Sequence, residues 1–240
     1  MSGQERAARH WAVIAAAGQG ERMSAEQPKQ YLSLCGRTLL EHTLRPFVEC
    51  PALSGIVVVI ASGDSRWSDL PVALDPRIRA VSGGSERMHS VLNGLNELAC
   101  EAQASDWVLV HDAARPCLDR ADLERLINSL EDDAVGGLLA VQVRDTLKRA
   151  DRAGAHVMAT VGREGLWAAQ TPQMFRYELL HRALDGAVRT GLKVTDEAGA
   201  VEALGERPRL VSGSPRNIKV TLPEDLSLAE VILTAAPGRA

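Results

Sequence analysis

The chain is poor in aromatic residues and has no long apolar run. Phe, Trp and Tyr make up 3% of its 240 residues, so a core has to be assembled from Ala, Val, Leu and Ile. A membrane-crossing helix needs about 20 consecutive, mainly apolar residues, and no such stretch exists. Cysteine is scarce: Cys35, Cys50, Cys100 and Cys117 are scattered and form no CxxC pair. That excludes the usual zinc spacings and a disulfide framework, and it points to reduced thiols in a cytoplasm. The formal net charge of -4 leaves no general basic coat for nucleic acid. Repeats, low-complexity tracts and obvious linkers are also lacking.

What is present is ordinary globular material, 45% hydrophobic and 24% charged, long enough to bury a core without staples. Arg6 and Arg9 before the apolar run Trp11–Ala17 faintly suggest a secretion signal. The run is short and leads straight into Gly18-Gln19-Gly20, so a buried strand feeding a loop is the better reading. Gly55–Ala61, Trp107–His111 and Gly137–Val143 are similar short apolar runs. Helical spacing recurs between them. Leu39, Leu40, Thr43, Leu44, Phe47 and Val48 form one apolar stripe; Leu123, Leu126, Ile127 and Leu130 form another, with Asp119 or Asp122 as N-cap. Ser85–Ala99 reads as a third helix.

Alternation of strands and helices predicts an α/β fold, a Rossmann-like and mostly parallel sheet with helices on both faces. The pattern breaks at about 144–170, read as an excursion, a β-arm from a single domain spanning 1–240. Helices near Tyr177–Thr190 and Asp196–Leu204, strands at Arg209–Val211 and Asn217–Val220, and a last helix opened by Pro223-Glu224-Asp225 complete the expectation.

Ligands of open parallel sheets bind beyond the carboxyl ends of the strands, so the chemistry is sought in those loops. Ala15–Met23 is small and Gly-rich, which lets backbone N–H groups close on phosphate oxygens, with Arg22 as a planar donor fork. It is neither a Walker A loop nor a full dinucleotide fingerprint, because Met23 stands where a third glycine would be. That departure argues against an NAD-dependent oxidoreductase. Lys29, in Pro28-Lys29-Gln30-Tyr31, can reach back over the same phosphates. Gly83-Gly84 leads into a helix start, suited to close approach of a base or ribose. In His111-Asp112-Ala113-Ala114-Arg115-Pro116, Asp112 at a strand's carboxyl end is placed to hold Mg²⁺ near a triphosphate, and Arg115 to pair with a phosphate or orient Asp112. Lys219, in an otherwise strand-like segment, should point somewhere useful.

Taken in order, these pieces resemble the 2-C-methyl-D-erythritol 4-phosphate cytidylyltransferase family of the non-mevalonate isoprenoid pathway. The motifs are AAGxGxRM at Ala16–Met23, PKQY at Pro28–Tyr31, GGxER at Gly83–Arg87, VHDAARP at Val110–Pro116, VRDTxKR at Val143–Arg149, LWxAxTPQ at Leu166–Gln173, TDEA at Thr195–Ala198 and NIKVTxPEDL at Asn217–Leu226. Ala15, Glu21 and Ser85 depart from the family's usual residues. The resemblance implies transfer of CMP from CTP to 2-C-methyl-D-erythritol 4-phosphate, with Mg²⁺ as cofactor. A cytidylyltransferase for another polyol phosphate, such as ribitol 5-phosphate, shares the loop logic, and a non-catalytic nucleotide sensor is a further alternative.

The same resemblance assigns roles. Ala16, Ala17, Gly18 and Gly20 hold CTP through backbone groups, with Gly84, Ser85 and Ser90 around the cytosine. Arg22, Lys29 and Lys219 stabilise the transition state, and Asp112 binds the metal. Arg115, Thr171, Thr195 and Lys219 bind the sugar phosphate, and Thr146 and Arg163 on the arm reach a partner's site in a homodimer.

Overall fold

The structure is a computed structural model that describes residues 6–18 and 27–235. β1 (His10–Ala16) is followed by a small hairpin, β2 (Ser33–Leu34) and β3 (Arg37–Thr38), and by α1 (Leu39–Val48). Next come β4 (Leu53–Ile60), β5 (Ile78–Ser82), α2 (Arg87–Glu97), β6 (Trp107–Asp112), α3 (Arg120–Leu130) and β7 (Gly136–Gln142). A second hairpin, β8 (Leu147–Ala150) and β9 (Val157–Val161), precedes β10 (Trp167–Arg176) and α4 (Tyr177–Thr190). The chain continues through α5 (Glu197–Glu202), β11 (Arg209–Ser212) and α6 (Pro223–Thr234).

Seven strands form one sheet in the order β11-β7-β10-β6-β1-β4-β5. All neighbours pair parallel except β10, which runs antiparallel to both β6 and β7. The mostly parallel α/β architecture expected from the sequence is thus observed. After β1 the chain builds β4 and β5 on one side and then crosses back to place β6 on the other. The order of strands therefore reverses at β1, and a crevice opens there beyond the carboxyl ends of β1 and β6.

Period-two alternation sorts the sheet's apolar residues onto two faces. Ala12, Ile14, Ile56, Val58 and Leu109 pack with Leu40, Leu44 and Phe47 of α1 and Leu123, Leu126 and Leu130 of α3. Val13, Val57, Val59, Val108 and Val110 pack with Val91 and Leu95 of α2 and Leu180 and Leu184 of α4. α6 closes a smaller cluster with Leu34, Leu39, Cys117 and Val220.

Local signals set the helix starts. Thr38 and Glu41 form a reciprocal capping box on α1. Asp119, not Asp122, caps α3, and Asp196 caps α5. α4 stops at Gly191, whose φ of +67° is the left-handed turn glycine adopts at low cost.

Two expectations change. Asn217–Val220 is not a strand: its backbone groups bond singly to loops, Val220 N–H to the Ala114 carbonyl and the Asn217 carbonyl to Arg115, so no ladder forms. Within the 144–170 excursion, β8 and β9 pair only with each other, but Trp167–Ala169 already belong to the main sheet through β7. Among the described residues no helix is long and apolar enough to cross a membrane.

Candidate active site

A cleft of about 210 Å³ opens at the switch point. Its walls are the end of β1 with Ala16, Ala17 and Gly18, the Gly84–Ser90 turn into α2, and Asp112 to Ala114 at the end of β6. Lys29 and Lys219 close the remaining side. Gly20 and Arg22 lie outside the described residues.

The β1 loop is held from behind, where Gln30 donates to the Ala16 carbonyl at 2.8 Å. The glycines opposite are there for space. A Cβ on Gly83 would sit 2.4 Å from the Ala17 Cβ and 2.8 Å from the Ser90 Oγ; one on Gly84 would meet the His89 Cβ at 2.4 Å. The Gly84 N–H donates to Ser90 Oγ at 3.1 Å, and Ser90 Oγ in turn donates to the Glu86 carbonyl. Ser85 Oγ rests 3.0 Å from His89 Nδ1 at the exposed rim.

Asp112 forms the electrostatic centre. Arg87 Nε donates to its Oδ1 at 2.9 Å, Lys219 Nζ lies 2.8 Å from its Oδ2, and Arg115 Nε lies 3.7 Å from the same oxygen. Burial alone would raise the Asp112 carboxyl, but Arg87, Lys219 and Arg115 outweigh it and hold the group far below the usual carboxylate range. Arg87 is fixed on its far side by a bidentate pair with buried Glu197, at 2.6 and 3.1 Å. Burial would lower the Arg87 guanidinium, yet the two carboxylates raise it, so it stays charged.

A second layer braces Asp112. Its N–H donates to Thr171 Oγ1 at 3.1 Å, and Thr171 Oγ1 lies 2.9 Å from His111 Nδ1. His111 Nε2 faces the Arg115 carbonyl at 3.3 Å. These partners assign a neutral ring that carries its proton on Nε2 and accepts at Nδ1 from the Thr171 hydroxyl. Burial drives the His111 pKa down to about 3. Arg115, only 12% exposed, donates from Nη1 to the Asn217 carbonyl at 2.7 Å, and Asn217 Nδ2 donates to the Thr171 carbonyl. Lys29 Nζ donates to the Val220 carbonyl at 3.2 Å.

The structure thus brings Ala16, Ala17, Gly18, Lys29, Gly84, Ser85, Ser90, Asp112 and Lys219 to one cleft. Arg115 and Thr171 stand directly behind it. Thr195 is exposed two residues before Glu197. Thr146 and Arg163 are exposed at the base of the β8–β9 hairpin and do not line this cleft. Arg87 and Glu197 went unassigned in the sequence reading. Their motifs, GGxER and TDEA, were visible, but only the fold pairs them.

The donor set limits how a divalent metal could be held. Among the described residues no group of three His, Cys, Asp or Glu could cage an ion. Mg²⁺, however, is commonly held by one or two carboxylates plus substrate phosphates. Asp112 lines the cleft and suits that mode, while Glu197 is committed to Arg87.

A family model described as 2-C-methyl-D-erythritol 4-phosphate cytidylyltransferase matches residues 10–235. A protein of that name from Pseudomonas putida is 59% identical over 217 residues, covering 90% of this chain and 92% of its own. The crystal structure of a 4-diphosphocytidyl-2C-methyl-D-erythritol synthase is similar with a TM-score of 0.82 at 42% identity, covering 94% of this chain and 99% of the other. The crystal structure of the Francisella tularensis 2-C-methyl-D-erythritol 4-phosphate cytidylyltransferase also gives a TM-score of 0.82, at 36% identity, covering 94% of this chain and 100% of its own.

Proposed function

From its place in the 2-C-methyl-D-erythritol 4-phosphate cytidylyltransferase family, to which this chain belongs, we propose how its cleft works. The enzyme transfers CMP from CTP to 2-C-methyl-D-erythritol 4-phosphate, giving 4-diphosphocytidyl-2-C-methyl-D-erythritol and pyrophosphate. The observation that carries the site reading is the convergence of Lys29, Lys219, Arg87 and Asp112 at the strand-order reversal, facing a glycine-spaced wall.

The reaction joins two anions. A phosphate oxygen of the polyol phosphate forms a bond to the α-phosphorus of CTP, and the bond from that phosphorus to the β-phosphate oxygen breaks. With a second pKa of about 6, the attacking phosphate is largely ionised at neutral pH, so no activated Ser or Cys is required. The protein's task is to bring the anions together and to stabilise charge on equatorial and leaving oxygens. In our reading Ala16, Ala17 and Gly18 offer backbone groups to the triphosphate, and Gly84, Ser85 and Ser90 flank the cytosine. Lys29 and Lys219, with Arg22, neutralise the phosphates. Lys219, 40% exposed, is the Asp112 partner most accessible to solvent and the one able to turn to an incoming phosphate.

Asp112 would hold Mg²⁺ when CTP brings its phosphates, and the ion would supply further charge neutralisation. Arg115, Thr171 and Thr195 serve the sugar-phosphate side, the first two by setting Asp112 and the Asn217–Lys219 segment. The β8–β9 hairpin leaves Val157 and Met158 63% and 68% exposed, an apolar tip suited to a second copy of the chain. We extend the proposal to a homodimer joined there, with Thr146 and Arg163 serving the partner's cleft. A cytoplasmic setting fits four cysteines that form no disulfide.

The deciding assay measures pyrophosphate release with CTP, Mg²⁺ and 2-C-methyl-D-erythritol 4-phosphate. Release should require both substrates. Release that continues without the polyol phosphate, or that is equal with ribitol 5-phosphate, would overturn the substrate assignment.

A further inference from the structure

Arg87 lines the cleft, yet none of the steps above gives it a task. Arg87 opens α2 and faces two carboxylates from different parts of the fold. Its Nε donates to Asp112 Oδ1 at 2.9 Å, and its Nη1 and Nη2 donate to Glu197 Oε1 and Oε2 at 2.6 and 3.1 Å. Three of the five guanidinium donors are spent in a fixed planar fork, which a lysine could not reproduce.

Glu197 is a rigid anchor. Its side chain is 1% exposed. It opens α5, whose start is fastened to the sheet: Gln173 of β10 donates to Asp196 Oδ2 and accepts from the Ala198 N–H, both at 2.8 Å. Gln173 in turn lies opposite Val110 in the ladder to β6, the strand that ends in Asp112. The path from Glu197 to Asp112 is therefore closed on both sides, through the sheet and through Arg87.

The two Asp112 oxygens have different partners. Oδ1 belongs to Arg87, whereas Oδ2 is shared by Lys219 at 2.8 Å and Arg115 at 3.7 Å. For Lys219 to serve a reactant phosphate, it has to loosen its hold on Oδ2. Without a partner on Oδ1, the carboxylate could rotate, present both oxygens to Lys219 and keep the ammonium out of the reaction.

We propose that Arg87 is a positioning residue: anchored by Glu197, it pins Asp112 Oδ1 so that Lys219 can exchange Asp112 for a phosphate while the carboxylate stays in place. The pair also ties the turn on the nucleotide side, Gly83 to Ser90, to the Thr195 segment on the other side of the cleft. This inference rests on the cytidylyltransferase reading and adds to it a residue pair with a defined task.

Removing Arg87 alone leaves Glu197 buried and unpaired, which is strongly destabilising, so the test uses variants that avoid this. Glu197→Gln keeps volume and leaves Arg87 charged. Arg87→Gln with Glu197→Gln removes both charges together, and Arg87→Lys keeps charge without the fork. Steady-state kinetics with CTP and 2-C-methyl-D-erythritol 4-phosphate are normalised to sites counted by calorimetric CTP binding, with thermal unfolding in parallel.

Misplacement of a reacting group by about 1 Å can cost on the order of 10²-fold. The expected result is kcat per site at least ~10-fold lower in Glu197→Gln and in the double variant, CTP KM within about threefold of wild type, and no rescue by Arg87→Lys. Unchanged kcat per site in Glu197→Gln and the double variant, with only the unfolding temperature lowered, would reduce the pair to a structural brace and overturn the proposal. Wild-type protein that releases no pyrophosphate would sink the reaction assignment, and this inference with it.

Discussion

Lys219 Nζ and Asp112 Oδ2 stand 2.8 Å apart at the mouth of the cleft. The contact joins the end of β6 to the irregular segment before α6, and it keeps a lysine poised beside the space a phosphate would fill. Lys29 reaches the same segment from the other direction, through the Val220 carbonyl at 3.2 Å. Loss of a preorganised charge stabiliser costs roughly 10²–10³-fold in turnover. Lys219→Ala and Lys29→Ala should each lower kcat/KM by roughly 10²-fold or more while leaving the circular dichroism spectrum unchanged. Near wild-type turnover in either folded variant would remove that lysine from the mechanism.

Gly83 offers a test of the nucleotide wall that does not touch charge. An added methyl would press on Ala17 and Ser90 at 2.4 and 2.8 Å, both on the cleft side. Overpacking of this kind costs about 1–3 kcal/mol, and here it would be relieved by moving the β1 loop or the turn into α2. Gly83→Ala should raise the KM for CTP several-fold more than the KM for the polyol phosphate. Equal effects on the two constants, measured by varying each substrate in turn, would contradict this placement of the nucleotide.

Much of this arrangement could be read locally. The apolar runs of β1, β4, β6 and β7 are short, rich in Val, Ile and Leu and bounded by turns, so their identity as buried strands was plain. β10 was hidden because Gln170, Thr171 and Gln173 interrupt its pattern. They are buried and held by specific partners, the Ser214 carbonyl for Gln170 Nε2, the Asp112 N–H for Thr171 and Asp196 for Gln173. Asn217–Val220 misled in the opposite sense, since it carries strand-like residues whose hydrogen bonds are made one by one. In the site, glycine loops and the His111-Asp112 turn announced themselves because their chemistry is contiguous. The Arg87–Glu197 pair did not, because two ordinary charged residues acquire meaning only when α2 and α5 bring them together.

The hairpin tip should respond to charge. If β8–β9 joins two copies, a carboxylate at Met158, 68% exposed in the single chain, would be buried at the contact. An unpaired buried charge costs about 3–5 kcal/mol, which is over ~100-fold in a dissociation constant. Met158→Asp should therefore shift the protein toward monomer in sedimentation velocity at micromolar concentration. Activity should fall with it, since Thr146 and Arg163 would lose the cleft they serve. A variant that stays dimeric, or a wild type that is monomeric, would refute the arm as the interface.

His111 should make the fold weaker in acid. Its ring is buried and neutral between the Thr171 hydroxyl and the Arg115 carbonyl, and its pKa falls from 6.5 to about 3. A histidine whose folded pKa is depressed binds its proton more readily in the unfolded chain. Its contribution to stability is therefore whole above pH 6.5 and is lost as pH falls toward about 3. The loss approaches about 1.4 kcal/mol per pH unit within that window. His10, also lowered by burial, acts in the same direction, whereas the stability Asp112 contributes is present above its unfolded value of 3.8 and is lost only below it. The comparison that isolates His111 is urea unfolding of wild type and His111→Gln between about pH 4.5 and 6.5. Gln can still donate to the Arg115 carbonyl but cannot titrate, so the slope of stability against pH should be shallower in the variant by about one proton. Identical slopes would mean that the ring is not the group whose protonation opens the floor beneath Asp112.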